Sequence, residues 1–118
     1  MRKYLSKTFT FEAAHSLSMS NNLLNKKIHG HSFHVEISLV GKINENGMII
    51  DFYEFNKLVK KIKKKLDHSY LNEIKNIGEP TLENIGQYIW NFILKEKYNL
   101  CRIEISRKTC NECFVIEK

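Results

Sequence analysis

Phe9-Thr10-Phe11-Glu12-Ala13-Ala14-His15 and His29-Gly30-His31-Ser32-Phe33-His34-Val35 are the stretches on which the fold of this chain turns. In the first, the odd positions are Phe9, Phe11, Ala13 and His15, an alternation that fits a strand with one buried face. In the second, Phe33, Val35, Ile37 and Leu39 fall on one side and His34, Glu36 and Ser38 on the other, so a second strand is predicted from His31 to Val40. Residues 16 to 30 hold Ser, Asn, Lys and Gly with little periodicity and read as a long loop. If the two strands pair antiparallel, the end of the first lies beside the start of the second.

Working outward, Asn44-Glu45-Asn46-Gly47 is a turn signal and Met48-Ile49-Ile50 reads as a short third strand. Phe52, Phe55, Val59, Ile62 and Leu66 then follow one helical stripe, predicting a helix from about Phe52 to Leu66. After a polar stretch, Pro80-Thr81-Leu82-Glu83 opens a second helix: Thr81 suits the cap and Glu83 the positive end of the helix dipole. Its apolar face is Leu82, Ile85, Ile89, Phe92 and Ile93. Alternation returns over Cys101–Arg107, and Phe114–Ile116 closes the chain after a turn at Thr109–Glu112. Strands at both ends with helices between them predict one α+β domain over residues 1–118, an antiparallel four-stranded sheet with two helices on one face. Such a sheet leaves its edges unpaired, which predicts an oligomer.

Composition fits this picture. Of 118 residues 42% are hydrophobic and 27% charged, with one Pro, as in an ordinary folded domain. No run of about 18 apolar residues is present to span a bilayer, and Met1-Arg2-Lys3-Tyr4-Leu5-Ser6 lacks a signal-peptide core, so no membrane partner is predicted and a cytoplasmic location is. Three cysteines, an odd number, predict free thiols, and Cys110-Asn111-Glu112-Cys113 reads as a turn, not a zinc knuckle or a redox motif. The net charge of +6 is concentrated at Lys57, Lys60, Lys61, Lys63, Lys64 and Lys65. A solvated helix face is the favoured reading. A nucleic-acid surface lacks accompanying motifs, and attraction of an anionic substrate is a further alternative.

Five histidines are present, and three converge by geometry. His15 ends the first strand on the side of Phe9 and Phe11, and His29 and His31 share the parity of Phe33 and Val35. Three imidazoles at one end of one sheet face match a catalytic zinc site with an open position for water or substrate. A satisfied core histidine is the bland alternative. Imidazole suits zinc, and no carboxylate is obviously paired with the trio. Gly30 lets the backbone approach closely between two ligands. Asp67-His68 is a second candidate: a carboxylate orienting an imidazole for proton transfer, or a turn cap. His34 faces away from the trio.

Phe11-Glu12-Ala13-Ala14-His15, His29-Gly30-His31-Ser32-Phe33, Ile50-Asp51-Phe52, Leu66-Asp67-His68-Ser69-Tyr70-Leu71-Asn72 and Pro80-Thr81-x-Glu83-Asn84, in that order, resemble the 6-pyruvoyltetrahydropterin synthase family. The nearest branch is the 6-carboxytetrahydropterin synthases of queuosine biosynthesis. The resemblance implies the tunnelling fold, in which sheets of three subunits pair edge to edge into a barrel and two trimers stack into a hexamer. It implies that His15, His29 and His31 hold Zn2+, that Asp67 and His68 form the catalytic proton relay, and that the substrate is a phosphorylated pterin, 7,8-dihydroneopterin triphosphate.

Two positions depart from the family pattern. A Cys acting as general base stands four residues before the His-x-His motif in the family, and here that residue is Asn25. A Glu that anchors the pterin edge ends the family's third long strand, and here the sequence is Arg107-Lys108-Thr109. Arg107, Lys108 and Glu112 are therefore the candidates for substrate binding, with Glu104 a further carboxylate nearby. The leading reading is a zinc-dependent pterin lyase with a rearranged base. The alternative is a non-catalytic module of the same fold that holds zinc and a heterocycle.

Overall fold

A computed structural model describes all residues, 1–118. Strand β1 (Tyr4–His15) and strand β2 (His29–Val40) pair antiparallel along their whole length, Tyr4 opposite Val40 and His15 opposite His29. The register puts Phe11 against Phe33, whose rings stack with centroids 4.9 Å apart. A slip of one residue would turn every one of these side chains to the other face, so burial locks the pairing.

Three further strands complete the sheet. They are β3 (Ser69–Tyr70), β4 (Leu100–Arg107) and β5 (Glu112–Glu117), in the order β3-β1-β2-β4-β5. β4 and β5 are antiparallel to their neighbours, whereas β3 runs parallel to β1 at Ala13 and Ala14. The four-stranded, wholly antiparallel sheet expected from the sequence is thus corrected to a mixed sheet of five strands. A strand of two residues is too short to show alternation, which is why Ser69–Tyr70 left no periodic signal.

Met48-Ile49-Ile50 is not a strand either. The Asn44 side chain accepts from Asn46 N and Met48 N, and Asn44 N donates to Met48 O at 2.8 Å, so this segment folds back on its own turn. In the stretch read as loop, the Asn22 side chain accepts from Leu24 N and starts a single helical turn, α1 (Leu23–Lys26).

Helix α2 (Phe52–Leu66) begins at Asp51, whose carboxylate accepts from Tyr53 N at 2.9 Å. It buries Phe55, Leu58, Val59, Ile62 and Leu66, while Phe52 sits 63% exposed in the first turn, off the expected stripe. Lys57, Lys60, Lys61, Lys64 and Lys65 are exposed, the solvated face read from the sequence. Helix α3 (Leu82–Lys95) is capped by Thr81, whose hydroxyl accepts from Asn84 N at 3.1 Å. Both helices cover the face that carries Phe11, Phe33, Val35, Ile103 and Ile105. Each large apolar side chain buried there contributes about 1.5–3 kcal/mol. Gly86 lets α3 lie close to the sheet, since a Cβ there would stand 2.9 Å from the Phe114 ring and 3.3 Å from Ile105. No helix is long and apolar enough to cross a membrane.

Candidate metal centre

The register that pairs His15 with His29 and Ala13 with His31 gathers three imidazoles at one end of the core face. Ring centroids lie 4.6 Å apart for His15 and His29, 5.1 Å for His15 and His31, and 4.8 Å for His29 and His31. One ring nitrogen from each falls within 4.8 Å of the others, close enough to hold one metal ion.

Backbone carbonyls set the ring orientations. Pro80 O accepts from His15 Nδ1 at 2.8 Å and Lys27 O accepts from His29 Nδ1 at 2.7 Å. With the proton on Nδ1, each ring presents the Nε2 lone pair to the centre. His15 is 1% exposed, and its Nε2 is buried with no hydrogen-bond partner, the mark of a donor waiting for a cation. Burial holds the pKa of His15 below its ordinary value, and burial together with the Arg107 charge lowers His31 from 6.5 to about 4. Both rings are therefore neutral near pH 7, the form that binds metal.

The loop after His15 is clamped by the segment that leads into α3. Asn72 takes both backbone groups of Ser16, accepting from its N–H and donating to its C=O, each at 2.9 Å. The Glu79 carboxylate accepts from Ser18 N at 3.1 Å and Met19 N at 2.7 Å. These positioning residues were not singled out in the sequence. Asn72 and Pro80 stand inside quoted motifs, and only the fold shows that residues 72–80 return to the end of β1.

Arg107, last on β4, shares the parity of Ile103 and Ile105 and comes to the histidines. Its Nη1 donates to His31 Nε2 at 3.2 Å and its Nη2 to Glu112 at 2.6 Å, while its Nε is buried without a partner. Of the expected substrate-binding residues, Arg107 and Glu112 thus reach the centre. Lys108 does not: it is exposed and lines a cavity with His34, Glu104 and Ser106 on the opposite sheet face.

Asp67 caps the end of α2, accepts from Glu12 N at 2.9 Å, and stands 3.7 Å from His68 Nε2. The His68 ring is 83% exposed, and His68 takes a left-handed backbone, φ 56°. A cavity of about 470 Å³ is lined by Glu12, Gly30, His31, Ser32 and His68; Glu12 and Ser32 share the sheet face opposite the one that carries Ala13, His15 and Phe33. Asn25, at the position of the family Cys, is half-buried and donates from its amide to Ser20 Oγ at 3.2 Å. Cys110 and Cys113 are free, exposed thiols, as read from the sequence; Cys110 lies in the β4–β5 turn, whereas Cys113 already pairs with Ser106 in β5, so the turn is shorter than expected.

A mixed sheet backed by helices on one face, with three convergent imidazoles at its end, defines an α+β domain with a candidate metal centre. The profile described as 6-pyruvoyl tetrahydropterin synthase matches residues 4–118, and the chain belongs to that family. It is 37% identical over 97 residues to an Archaeoglobus fulgidus protein provisionally named 6-carboxy-5,6,7,8-tetrahydropterin synthase, covering 82% of this chain and 81% of that one. It is 36% identical over 86 residues to the dihydroneopterin monophosphate aldolase of Pyrococcus furiosus, covering 73% and 70%. The structure of Caenorhabditis elegans 6-pyruvoyl tetrahydropterin synthase superposes with a TM-score of 0.86 at 21% identity, over 100% of this chain and 96% of that one, and shows the fold.

Proposed function

We propose that this chain is a zinc-dependent pterin lyase of the 6-carboxytetrahydropterin synthase type, acting on 7,8-dihydroneopterin triphosphate or a close phosphorylated relative. The observation that carries this reading is the convergence of His15, His29 and His31 with the Nε2 of His15 buried and unpartnered. Zinc held by these residues supplies a Lewis acid that makes a bound substrate hydroxyl more acidic. Asp67 stands beside His68 for proton transfer: one carboxylate oxygen is tied to Glu12 N and the other lies 3.7 Å from His68 Nε2. The Asn25 amide takes up no proton near neutral pH, so proton traffic falls to His68. Arg107 and Glu112 line the substrate side.

The reading includes cytoplasmic location and a trimer or hexamer built by edge pairing. Two open edges support the assembly: β5 pairs only with β4, and β3 covers β1 only at Ala13 and Ala14. A second product has its own support. The Pyrococcus furiosus relative is named an aldolase, and cleavage of a pterin side chain demands less proton shuffling than the synthase reaction, which suits a site with Asn25.

The test is mass-spectrometric product analysis after the zinc-loaded protein is incubated with 7,8-dihydroneopterin triphosphate and, separately, the monophosphate. A carboxylated or pyruvoyl pterin supports the synthase, and loss of the side chain as an aldehyde supports the aldolase. No turnover, with about one zinc bound per chain and lost in His29→Ala, leaves the non-catalytic binding module. Full zinc retention in His29→Ala overturns the metal centre itself.

A further inference from the structure

A neutral imidazole has one lone pair, and that of His31 accepts from Arg107 Nη1 at 3.2 Å. A metal on His31 consumes that lone pair, whichever ring nitrogen it takes, and leaves the other nitrogen bearing a proton. The Arg107–His31 hydrogen bond and a His31–metal bond therefore exclude each other. Metal binding strips Nη1 of its acceptor, while Nε already lacks one and Nη2 remains on Glu112 at 2.6 Å. The side chain is 12% exposed, so water has little room to make up the loss.

Charge points the same way. A divalent ion and one guanidinium would stand with two carboxylates, Glu112 on Arg107 and Glu79 on the side of His15, which leaves an excess of positive charge at a half-buried spot. An anion on the Nη1–Nη2 side of the guanidinium, taking the freed Nη1 donor and the second hydrogen of Nη2 while facing the metal, answers both the lost acceptor and the charge. A phosphate or carboxylate oxygen pair has that shape, and an arginine fork binds it in two-point fashion.

We infer that Arg107 is the anion receptor of the metal centre, held on His31 in the metal-free chain and released by metal to grip a phosphate or carboxylate group of the substrate. This deepens the proposed function by assigning the residue that selects an anionic substrate, and it rests on the metal reading but not on any particular product. Metal and anion are then coupled, and the coupling is reciprocal: zinc raises anion affinity by the factor by which the anion raises zinc affinity.

Two measurements that need no turnover test it. Zinc affinity is read by chelator competition, and inorganic phosphate binding is read by calorimetry on the metal-free and zinc-loaded chain. Arg107→Met, which keeps the apolar stem, is expected to bind zinc about tenfold more tightly, because the competing hydrogen bond and the repelling charge are gone. The same variant, zinc-loaded, is expected to bind phosphate about tenfold or more weakly than wild type. Arg107→Lys is expected to keep part of the phosphate affinity, as a point charge without the fork. If Arg107→Met lowers zinc affinity or leaves it unchanged, or if phosphate binds equally with and without zinc, the inference fails. Urea unfolding of both variants checks that the fold is intact, and Arg107→Lys carries the test if Arg107→Met does not fold. These outcomes are separate from product analysis: the receptor can hold in a chain that turns over no pterin.

Discussion

Replacing Asn72 by Ala removes two hydrogen bonds at once, from Ser16 N to Oδ1 and from Nδ2 to Ser16 O, both 2.9 Å and both partly buried. At a net value of about 0.5–1.5 kcal/mol each, the pair contributes about 1–3 kcal/mol. For a domain of this length that corresponds to a fall in Tm of about 4–12 °C. Ser16 directly follows His15, so freeing its backbone also loosens a metal ligand, and zinc affinity is expected to fall about tenfold. Asn72→Asp separates the two bonds: it still accepts from Ser16 N, but it sets a carboxylate against the Ser16 carbonyl oxygen, and is expected to be no more stable than Asn72→Ala. Circular-dichroism melts and chelator competition on the same samples give both numbers. A Tm within 1 °C of wild type together with unchanged zinc affinity for Asn72→Ala refutes the reasoning that this clamp holds the ligand loop (about 0.25 kcal/mol at the conversion used here).

Stability should also follow pH in a defined direction. The unfolded chain protonates His15 and His31 near 6.5 while the folded chain resists it, so stability is complete above about 6.5 and is lost as pH falls toward 4. Urea midpoints of the metal-free protein between pH 7.5 and 4.5 should show this decline, with a shallower slope in His31→Gln. Gly86→Ala is expected to destabilise by about 1 kcal/mol, overpacking against Phe114 outweighing a helix gain of about 0.5–1 kcal/mol, and Phe114→Leu in the same chain should restore the loss in a thermal melt. Asn25→Cys places an ionisable thiol four residues before the His-x-His motif and should raise turnover of 7,8-dihydroneopterin triphosphate about a hundredfold or more in a coupled phosphate-release assay, with no change in the Arg107→Met zinc response.

The parts of the molecule governed by repetition were legible in the sequence. Period two named the buried faces of β1 and β2 and carried His15, His29 and His31 to one place, and period 3.6 bounded α2 at Phe52 and Leu66. What escaped were contacts too short to repeat. The Ser69–Tyr70 pairing and the Asn22-capped turn each depend on one or two hydrogen bonds, and no window of residues distinguishes them from loop. The Asn44 turn was legible, but not that it ties Met48 back and leaves no strand there. The separation of Arg107 from Lys108 had a readable signal. Arg107 continues the parity of Ile103 and Ile105, which places it on the face of the histidines, whereas its neighbour leaves the strand. The tautomer of His15 had none, because it is fixed by Pro80 O, a backbone atom distant in the chain.

The ties from Asn72, Glu79 and Pro80 to the end of β1 have a consequence for local opening. Pro80 immediately precedes the Thr81 cap, so fraying of the first turn of α3 and release of the His15 ring belong to one cooperative unit. A ligand that binds only the closed form of that unit shifts its opening equilibrium by mass action. Saturating zinc should therefore slow amide exchange at Asn84 and Ile85, whose amides bond to Thr81 and not to an imidazole, while exchange in the distal turn of α3 near Lys95 stays as it was. Metal content would then report on the integrity of a helix end, and a chain that loses its α3 cap would lose its ion before it loses its sheet.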